Sequence, residues 1–279
     1  MMLAELISDA IEKLRKSGID NPQLDARLLA CHALALDRAQ LLSQSQRSLT
    51  ADETLSLENL ITRRIRREPV ARIIGAREFW GLNFALNEAT LEPRPDSETL
   101  VEAVLAFRKA NARILDLGTG TGCLLLALLH EMPAATGMGI DMNPRAVEQA
   151  IFNAAALGLG ERAMFRTGNW LTDITENFDI ILSNPPYIPA SDISTLMPEV
   201  RDYDPMLALD GGVDGLAPYR FLIPQLANFL NPQGIAAFEV GAGQAPQVAD
   251  LFRQSGFANI AIHKDLGGID RCVTATRPG

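Results

Sequence analysis

The stretch Asn184-Pro185-Pro186-Tyr187 sets an amide, two proline rings and an aromatic face directly after the apolar run Phe178 to Ser183. Proline locks its own φ and pushes the residue before it toward an extended conformation, so this turn is stiff before any ligand arrives. A rigid polar turn leaving a buried strand marks a site. A second cluster lies upstream, Asp116-Leu117-Gly118-Thr119-Gly120-Thr121-Gly122-Cys123, between a strand pattern and a helical one. Glycines let the backbone approach a ligand closely there, and the following helix offers free N–H groups and the positive end of its dipole. Asp141 follows the next strand pattern, 21 residues beyond Gly120, where it can accept hydrogen bonds from both hydroxyls of a ribose. By itself the turn is ambiguous. Cys123 stands where the dinucleotide fingerprint needs its third glycine, and no Gly-Lys-Ser/Thr follows for a nucleoside triphosphate.

These residues are carried by two differently patterned regions. Leu3, Leu6, Ile7, Ala10, Ile11 and Leu14 recur at helical spacing, Asn21-Pro22 reads as an N-cap with proline opening a helix over Gln23 to Leu36, and Thr50 with Glu53 forms a capping box before a helix reaching about Arg67. Everything up to about Ile74 reads as helical. Arg77 to Leu86, with Phe79-Trp80 and Asn83-Phe84 about Gly81, changes period and predicts a short hairpin. Beyond Asp96, helical patterns alternate with strands at 113–117, 135–140, 163–167, 178–183, 235–240, 260–263 and 272–276. That alternation predicts βαβ units and a mostly parallel sheet, and the last two strands, too close for a crossover helix, predict an antiparallel hairpin at one edge. The domain limits follow as 1–74 helical, 75–90 a hairpin linker and 91–279 the catalytic domain.

Composition narrows the function. The chain of 279 residues is 47% hydrophobic and 21% charged, with no apolar run of membrane-spanning length and an N-terminus whose acids fit neither a secretory nor a transit peptide, so a cytoplasmic protein is expected. Cys31, Cys123 and Cys272, like His32, His130 and His263, are scattered, which indicates neither disulfides nor a metal site. Residues 1–85 hold 12 Lys/Arg against 11 Asp/Glu, leaving 13 against 23 for the rest. Such an acidic catalytic region is poorly suited to gripping a phosphate backbone. The one basic cluster, Arg63-Arg64-Ile65-Arg66-Arg67, reads as a solvated helix end whose cations complement the dipole, with a contact surface for an acidic partner as the alternative.

The glycine turn resembles the first motif of the class I S-adenosylmethionine (SAM) methyltransferases, with a nicotinamide or flavin dinucleotide site and a purely structural turn left open by the turn alone. Asn-Pro-Pro-Tyr resembles the motif of those SAM enzymes that methylate a planar nitrogen, either a nucleobase amino group or a glutamine amide. Such a nitrogen is a poor nucleophile because its lone pair is delocalised. Two rigid acceptors, the Asn184 side-chain oxygen and the Pro185 carbonyl, can take its two N–H protons and leave the lone pair facing the methyl donor. Tyr187 can pack its face on the flat amide.

Over nearly its whole length the chain resembles the HemK/PrmC family of protein-(glutamine-N5) methyltransferases. The resemblance runs through Pro69-Val70, Glu78-Phe79-Trp80-Gly81, Pro93-Arg94-Pro95, Asp116 to Gly122, Gly168-Asn169-Trp170, Ser183 to Ile188, Asp210-Gly211-Gly212, Asp214-Gly215-Leu216, Glu239, Gly241 and Gln244. It implies a class I SAM-dependent methyltransferase fold (α/β, Rossmann-like, a mostly parallel seven-stranded sheet) with an N-terminal all-α domain that docks class 1 peptide chain release factors, and methylation of the glutamine of their Gly-Gly-Gln motif. Direct nucleic-acid or membrane partners and a metal are not implied; an Asn-Pro-Pro-Tyr methyltransferase acting on nucleic acid is the alternative. By matching positions, Gly118, Thr119, Gly120, Thr121 and Gly122 would hold the methionine part of SAM, Asp141 its ribose, and Trp170 would pack by the adenine. Asn184 would also touch the cofactor, and Asn184, Pro185, Pro186 and Tyr187 would hold the substrate glutamine. S-adenosylhomocysteine would be the product. Arg94 falls in the segment that covers the cofactor in the family, with a surface arginine beside Asp96 as the alternative; Trp80 reads as hairpin packing, with a partner contact as the alternative, and Glu239 as a structural residue at its strand end. Glu92 departs from the family, which has an apolar residue there, and this bears on the packing of that segment and not on the chemistry.

Overall fold

The computed structural model describes residues 2–107 and 109–279. The chain divides into two compact units, one formed by Met1–Ala76 with Met197–Tyr203 and the other by Arg77–Leu196 with Asp204–Gly279.

The first unit is helical: α1 (Leu3–Lys16), α2 (Pro22–Leu34), α3 (Arg38–Ser43), α4 (Ala51–Ile65) and α5 (Val70–Ile74). The apolar stripe of α1 buries Leu3, Leu6, Ala10 and Leu14 against Ala26, Leu29 and Ala30 of α2 and Leu57 and Ile61 of α4. The predicted capping box is reciprocal, with the Thr50 N–H donating to Glu53 Oε2 at 2.9 Å and the Glu53 N–H to Thr50 Oγ1 at 3.2 Å. A second box, Asp37 with Gln40, starts the short α3 that the periodicity does not predict.

The basic cluster at the end of α4 is not a solvated helix end. Arg64 is 8% exposed; its Nε meets Asp25 at 2.7 Å and its Nη1 meets Glu199 at 3.0 Å. Arg67 also reaches Glu199, Arg63 pairs with Glu68, and the Arg66 carbonyl accepts from the Tyr203 hydroxyl at 2.9 Å. Residues 197–203 therefore belong to this unit because three of the four arginines, by side chain or carbonyl, bind them. Nothing in their spacing signals it.

The second unit opens with the hairpin of β1 (Ala76–Phe79) and β2 (Leu82–Ala85), although Ala76 itself falls in the first unit. Phe79 and Phe84 are buried edge-to-face, and the Trp80 indole N–H donates to Glu131 at 2.9 Å, so Trp80 packs within its own unit. There follow α6 (Glu98–Leu105), β3 (Arg113–Leu117), α7 (Cys123–Glu131), β4 (Thr136–Asp141), α8 (Pro144–Ala156), β5 (Ala163–Thr167) and β6 (Phe178–Ser183). After α9 (Pro198–Arg201) in the first unit, the chain continues with α10 (Ala217–Leu222), β7 (Leu230–Glu239), α11 (Ala245–Gln254), β8 (Ala258–Lys264) and β9 (Asp270–Thr276).

The seven strands order as β5-β4-β3-β6-β7-β9-β8, parallel from β5 to β7, with β9 antiparallel to both β7 and β8. This is the predicted sheet with its antiparallel edge hairpin. Two apolar clusters enclose it, one gathered on α6 and α7 and one on α10 and α11, so β6 is buried at every residue. Burial on both faces keeps the middles of β3, β4 and β6 largely apolar, and the candidate residues lie beyond their carboxyl ends. Among the described residues no helix is long and apolar enough to cross a membrane.

Candidate active site

The glycine turn is tied to the end of β4 from both sides. The N–H groups of Gly118 and Thr119 donate to the Ile140 carbonyl at 2.8 and 2.9 Å. Gly118, Gly120 and Gly122 all adopt positive φ, which lets the chain turn sharply from β3 into α7. Beneath the turn, Asp116 is fully buried and accepts from the Thr119 hydroxyl at 2.6 Å. Burial pushes its carboxyl up to about 7, against the Thr119 hydrogen bond. Asn153, 1% exposed, bridges the turn to the hairpin by donating to the carbonyls of Thr121 and Ala85 and accepting from the Ala85 N–H.

Asp141 closes the arrangement. Its Oδ2 accepts from the Gly120 N–H at 2.9 Å and its Oδ1 from the Asn143 N–H at 2.9 Å. Burial raises its proton affinity and these backbone bonds oppose the rise. Each carboxylate oxygen keeps a lone pair for another donor. Trp170 sits in the left-handed region at φ 53°, an unusual place for a large side chain, with its ring 3.3 Å from where a Cβ on Gly118 would stand.

The Asn-Pro-Pro-Tyr turn is clamped by glycines from the 210–215 loop. A Cβ on Gly215 would lie 2.2 Å from the Tyr187 carbonyl oxygen, and one on Gly211 2.8 Å from the Pro186 oxygen. The same Tyr187 carbonyl accepts from Gln244 Nε2 at 2.9 Å, while Gln244 Oε1 accepts from the Gly241 N–H. Asn184 Nδ2 points at the hydroxyl oxygen of Ser97, 3.3 Å away.

One cleft joins these parts. Its wall includes Gly118 to Thr121, Asp141, Trp170, Asn184 and Pro186, together with Arg94, Ser97, Pro205, Leu207 and Ala208. Pro185 and Tyr187 are not on this wall. Pro185 is buried, and Tyr187 is half-buried in the apolar cluster of α10 and α11 with its hydroxyl 3.5 Å from Glu239. Gly122 shapes the turn without lining the cleft. Cys123 does line it, and burial pushes its thiol up to about 12, so it stays protonated. Arg94 pairs with the buried Asp204 at 2.5 Å, whereas neighbouring Asp96 pairs with Arg271. Glu92 is 6% exposed and has Arg77 at 3.4 Å, so its segment packs around an ion pair.

The chain matches two family models, the PrmC N-terminal domain over residues 5–75 and a methyltransferase domain over residues 108–262. It is 50% identical to the release factor glutamine methyltransferase of Rhodospirillum rubrum, over 99% of this chain and 86% of that one. The chain belongs to the release factor glutamine methyltransferase family. A relative of the same name in Bradyrhizobium diazoefficiens is 47% identical over 95% of this chain and 91% of its own. Among solved structures, a methyltransferase from Pyrococcus furiosus aligns with a TM-score of 0.55 at 15% identity, covering 80% of this chain and all of that one. That likeness shows the fold alone, the class I SAM-dependent methyltransferase fold. As a family member the chain is a SAM-dependent methyltransferase, and the glycine turn at the start of α7, the Asp141 carboxylate and the indole of Trp170 suit a ligand with a carboxylate, a ribose and a flat base.

The sequence motifs point to the polar heart of the wall but miss much of its rim, including Ala89, Leu91, Ser97, Met142, Leu207 and Ala208. Ser97 looks like an ordinary helix cap before Glu98, and 205–208 carry no motif; only the fold brings them to the cleft.

Proposed function

We propose that this enzyme transfers a methyl group from SAM to the side-chain amide nitrogen of the glutamine in the Gly-Gly-Gln motif of class 1 peptide chain release factors, the C–S bond breaking as the C–N bond forms, giving S-adenosylhomocysteine, N5-methylglutamine and a proton released from the nitrogen to water. The observation that carries this reading is the single cleft whose wall holds both the glycine turn with Asp141 and the Asn184 side chain. SAM, when bound, supplies a methyl group already activated on a positively charged sulfur. Gly118 to Gly122 and the start of α7 hold its carboxylate end, Asp141 accepts from its ribose and Trp170 packs by its adenine.

The protein's part in the chemistry is to redirect a lone pair. Asn184 Oδ1, on the cleft wall, and the backbone carbonyl of Pro185, a residue set behind that wall, would accept hydrogen bonds from the two N–H groups of the glutamine amide, which turns the nitrogen lone pair toward the methyl. As positive charge grows on nitrogen, those N–H groups become stronger donors and the two fixed acceptors stabilise the transition state more than the ground state. The proline rings, Gly211, Gly215 and Gln244 keep the acceptors from relaxing. The helical unit is read as the docking platform for the release factor, and the cytoplasm, where translation ends, as the location.

Labelled-methyl transfer to purified release factor, beside duplex DNA and RNA, tests the proposal. Label confined to one glutamine of the factor, located by mass mapping, is the expected result. Label on nucleic acid with none on the factor would establish the alternative.

A further inference from the structure

An asparagine amide has two nearly isosteric orientations, and only one of them serves the reaction. With Oδ1 toward the substrate nitrogen, Asn184 accepts a proton; turned over, it would oppose one N–H donor with another. The cleft must therefore fix the flip, and the packing of a flat amide does not distinguish oxygen from nitrogen.

Ser97 meets this need. It occupies the cap position of α6, yet its side chain makes no capping hydrogen bond. A serine there ordinarily accepts from a backbone N–H in the first turn. Instead, Ser97 is 3% exposed and its Oγ receives Asn184 Nδ2 at 3.3 Å, from a residue 87 positions away in the sequence. The Ser97 hydroxyl also acts on the carboxylate of Glu239, at the end of β7 and 1% exposed, favouring its ionised form. Glu239 Oε1 lies 3.5 Å from the Tyr187 hydroxyl, and its Oε2 has no hydrogen-bond partner among the described residues. Above about pH 7, where its carboxyl is ionised, Glu239 is an acceptor short of donors and attracts the serine proton. The serine oxygen then has only lone pairs to offer Asn184, which selects the amide nitrogen.

We propose that Ser97, backed by Glu239, is a positioning residue for methyl transfer: it holds Nδ2 of Asn184 and thereby turns Oδ1 toward the substrate amide, an inference that rests on the role given to Asn184 above. Without the hydroxyl, Nδ2 has no partner on that side, and the flipped amide, which can donate to water in the cleft, competes.

The test compares Ser97→Ala, Asn184→Ala and the double variant in single-turnover methylation of intact release factor at saturating SAM, with SAM affinity and melting temperature measured alongside. Ser97→Ala is expected to be on the order of tenfold slower, the loss of one hydrogen bond of ordinary strength, with SAM affinity and melting temperature close to wild type. It should slow the Asn184→Ala enzyme no further, because the two act as one. Wild-type speed in Ser97→Ala beside a slow Asn184→Ala overturns this inference and leaves the site reading standing; wild-type speed in both overturns the site reading itself. Losses that multiply in the double variant also overturn the inference, since Ser97 would then act independently of Asn184. Should Ser97→Ala not fold, Glu239→Leu supplies the same test. That change removes the acceptor and leaves an apolar group suited to burial, so a stable but slow enzyme supports the proposal and a stable enzyme at full speed refutes it.

Discussion

The backbone N–H of Gly120 donates to Oδ2 of Asp141 across 2.9 Å, tying the turn after β3 to the acid at the end of β4. Asp141 thus has two tasks, one toward its own chain and one toward a ribose. Asp141→Ala removes a charged acceptor from the ligand and also frees the N–H groups of Gly120 and Asn143. Hydrogen bonds to a charged group contribute about 1.5 to 3 kcal/mol each, so SAM affinity should fall by at least tenfold. Asp141→Asn, which keeps one acceptor oxygen, should fall between. Calorimetric titration with SAM and with NAD checks this; equal SAM affinity in wild type and Asp141→Ala would remove Asp141 from the site.

The Asn-Pro-Pro-Tyr turn depends on a residue outside it. A methyl group on Gly215 would stand 2.2 Å from the Tyr187 carbonyl at a backbone φ of 76°, so Gly215→Ala must displace the turn or its own loop. The expected cost is about 1 to 3 kcal/mol in stability. The catalytic rate should fall more than SAM affinity, because Gly118 to Gly122 are untouched. A melting curve and single-turnover kinetics on the same preparation measure both.

Glu199 holds residues 197–203 to the helical unit through Arg64 and Arg67. The Glu199 carboxyl is held below its usual range: burial opposes, but its hydrogen bonds to backbone, Arg64 and Arg67 win. Glu199→Ala leaves the largely buried Arg64 with Asp25 as its carboxylate partner and the Glu68 carbonyl as a further acceptor, and breaking such a pair costs up to about 3 to 5 kcal/mol. Hydrogen exchange should quicken in α4 and α9 while β3 and β6 stay protected. Unchanged protection in α4 would show that the network adds nothing.

Stability should also depend on pH through Glu239. Burial lifts its carboxyl from 4.5 to about 7, while the Ser97 hydroxyl and Arg271 oppose the lift and Asp96 adds to it. Between those two values the folded chain binds the proton that the unfolded chain has lost, so this group's contribution falls as pH rises from about 4.5 to 7 and stays low above. Asp116 acts in the same direction. Glu239→Gln carries no charge to bury. Its melting temperature relative to wild type should therefore rise between pH 5 and pH 8.5, and a difference that does not change with pH would contradict the assignment.

What could be read from sequence follows from where the signal was local. The strands at 113–117, 163–167 and 178–183 were legible to the residue because each is a short apolar run closed by turn residues. β7 begins at Leu230, five residues before its apolar run, because Asn231-Pro232-Gln233-Gly234 interrupts it with polar residues and a register shift against β6. The glycine turn and the Asn-Pro-Pro-Tyr turn were legible as turns because glycine and proline spacing encodes backbone shape directly. The partner of Asn184 was not, since Ser97 reaches it only through the approach of α6 to the end of β6. The arginine cluster misled for the same reason: its counter-charges, Asp25 and Glu199, lie far away in the chain.

The central claim is that Asn184 acts chiefly in the transition state. Its most direct measurement is the single-turnover rate of Asn184→Ala on purified release factor with SAM saturating, set against SAM affinity in the same variant. Loss of one preorganised acceptor predicts a rate lower by a factor of about 100 to 1,000 with SAM affinity changed far less. Near wild-type turnover, or a loss of SAM affinity as large as the loss of rate, would contradict it.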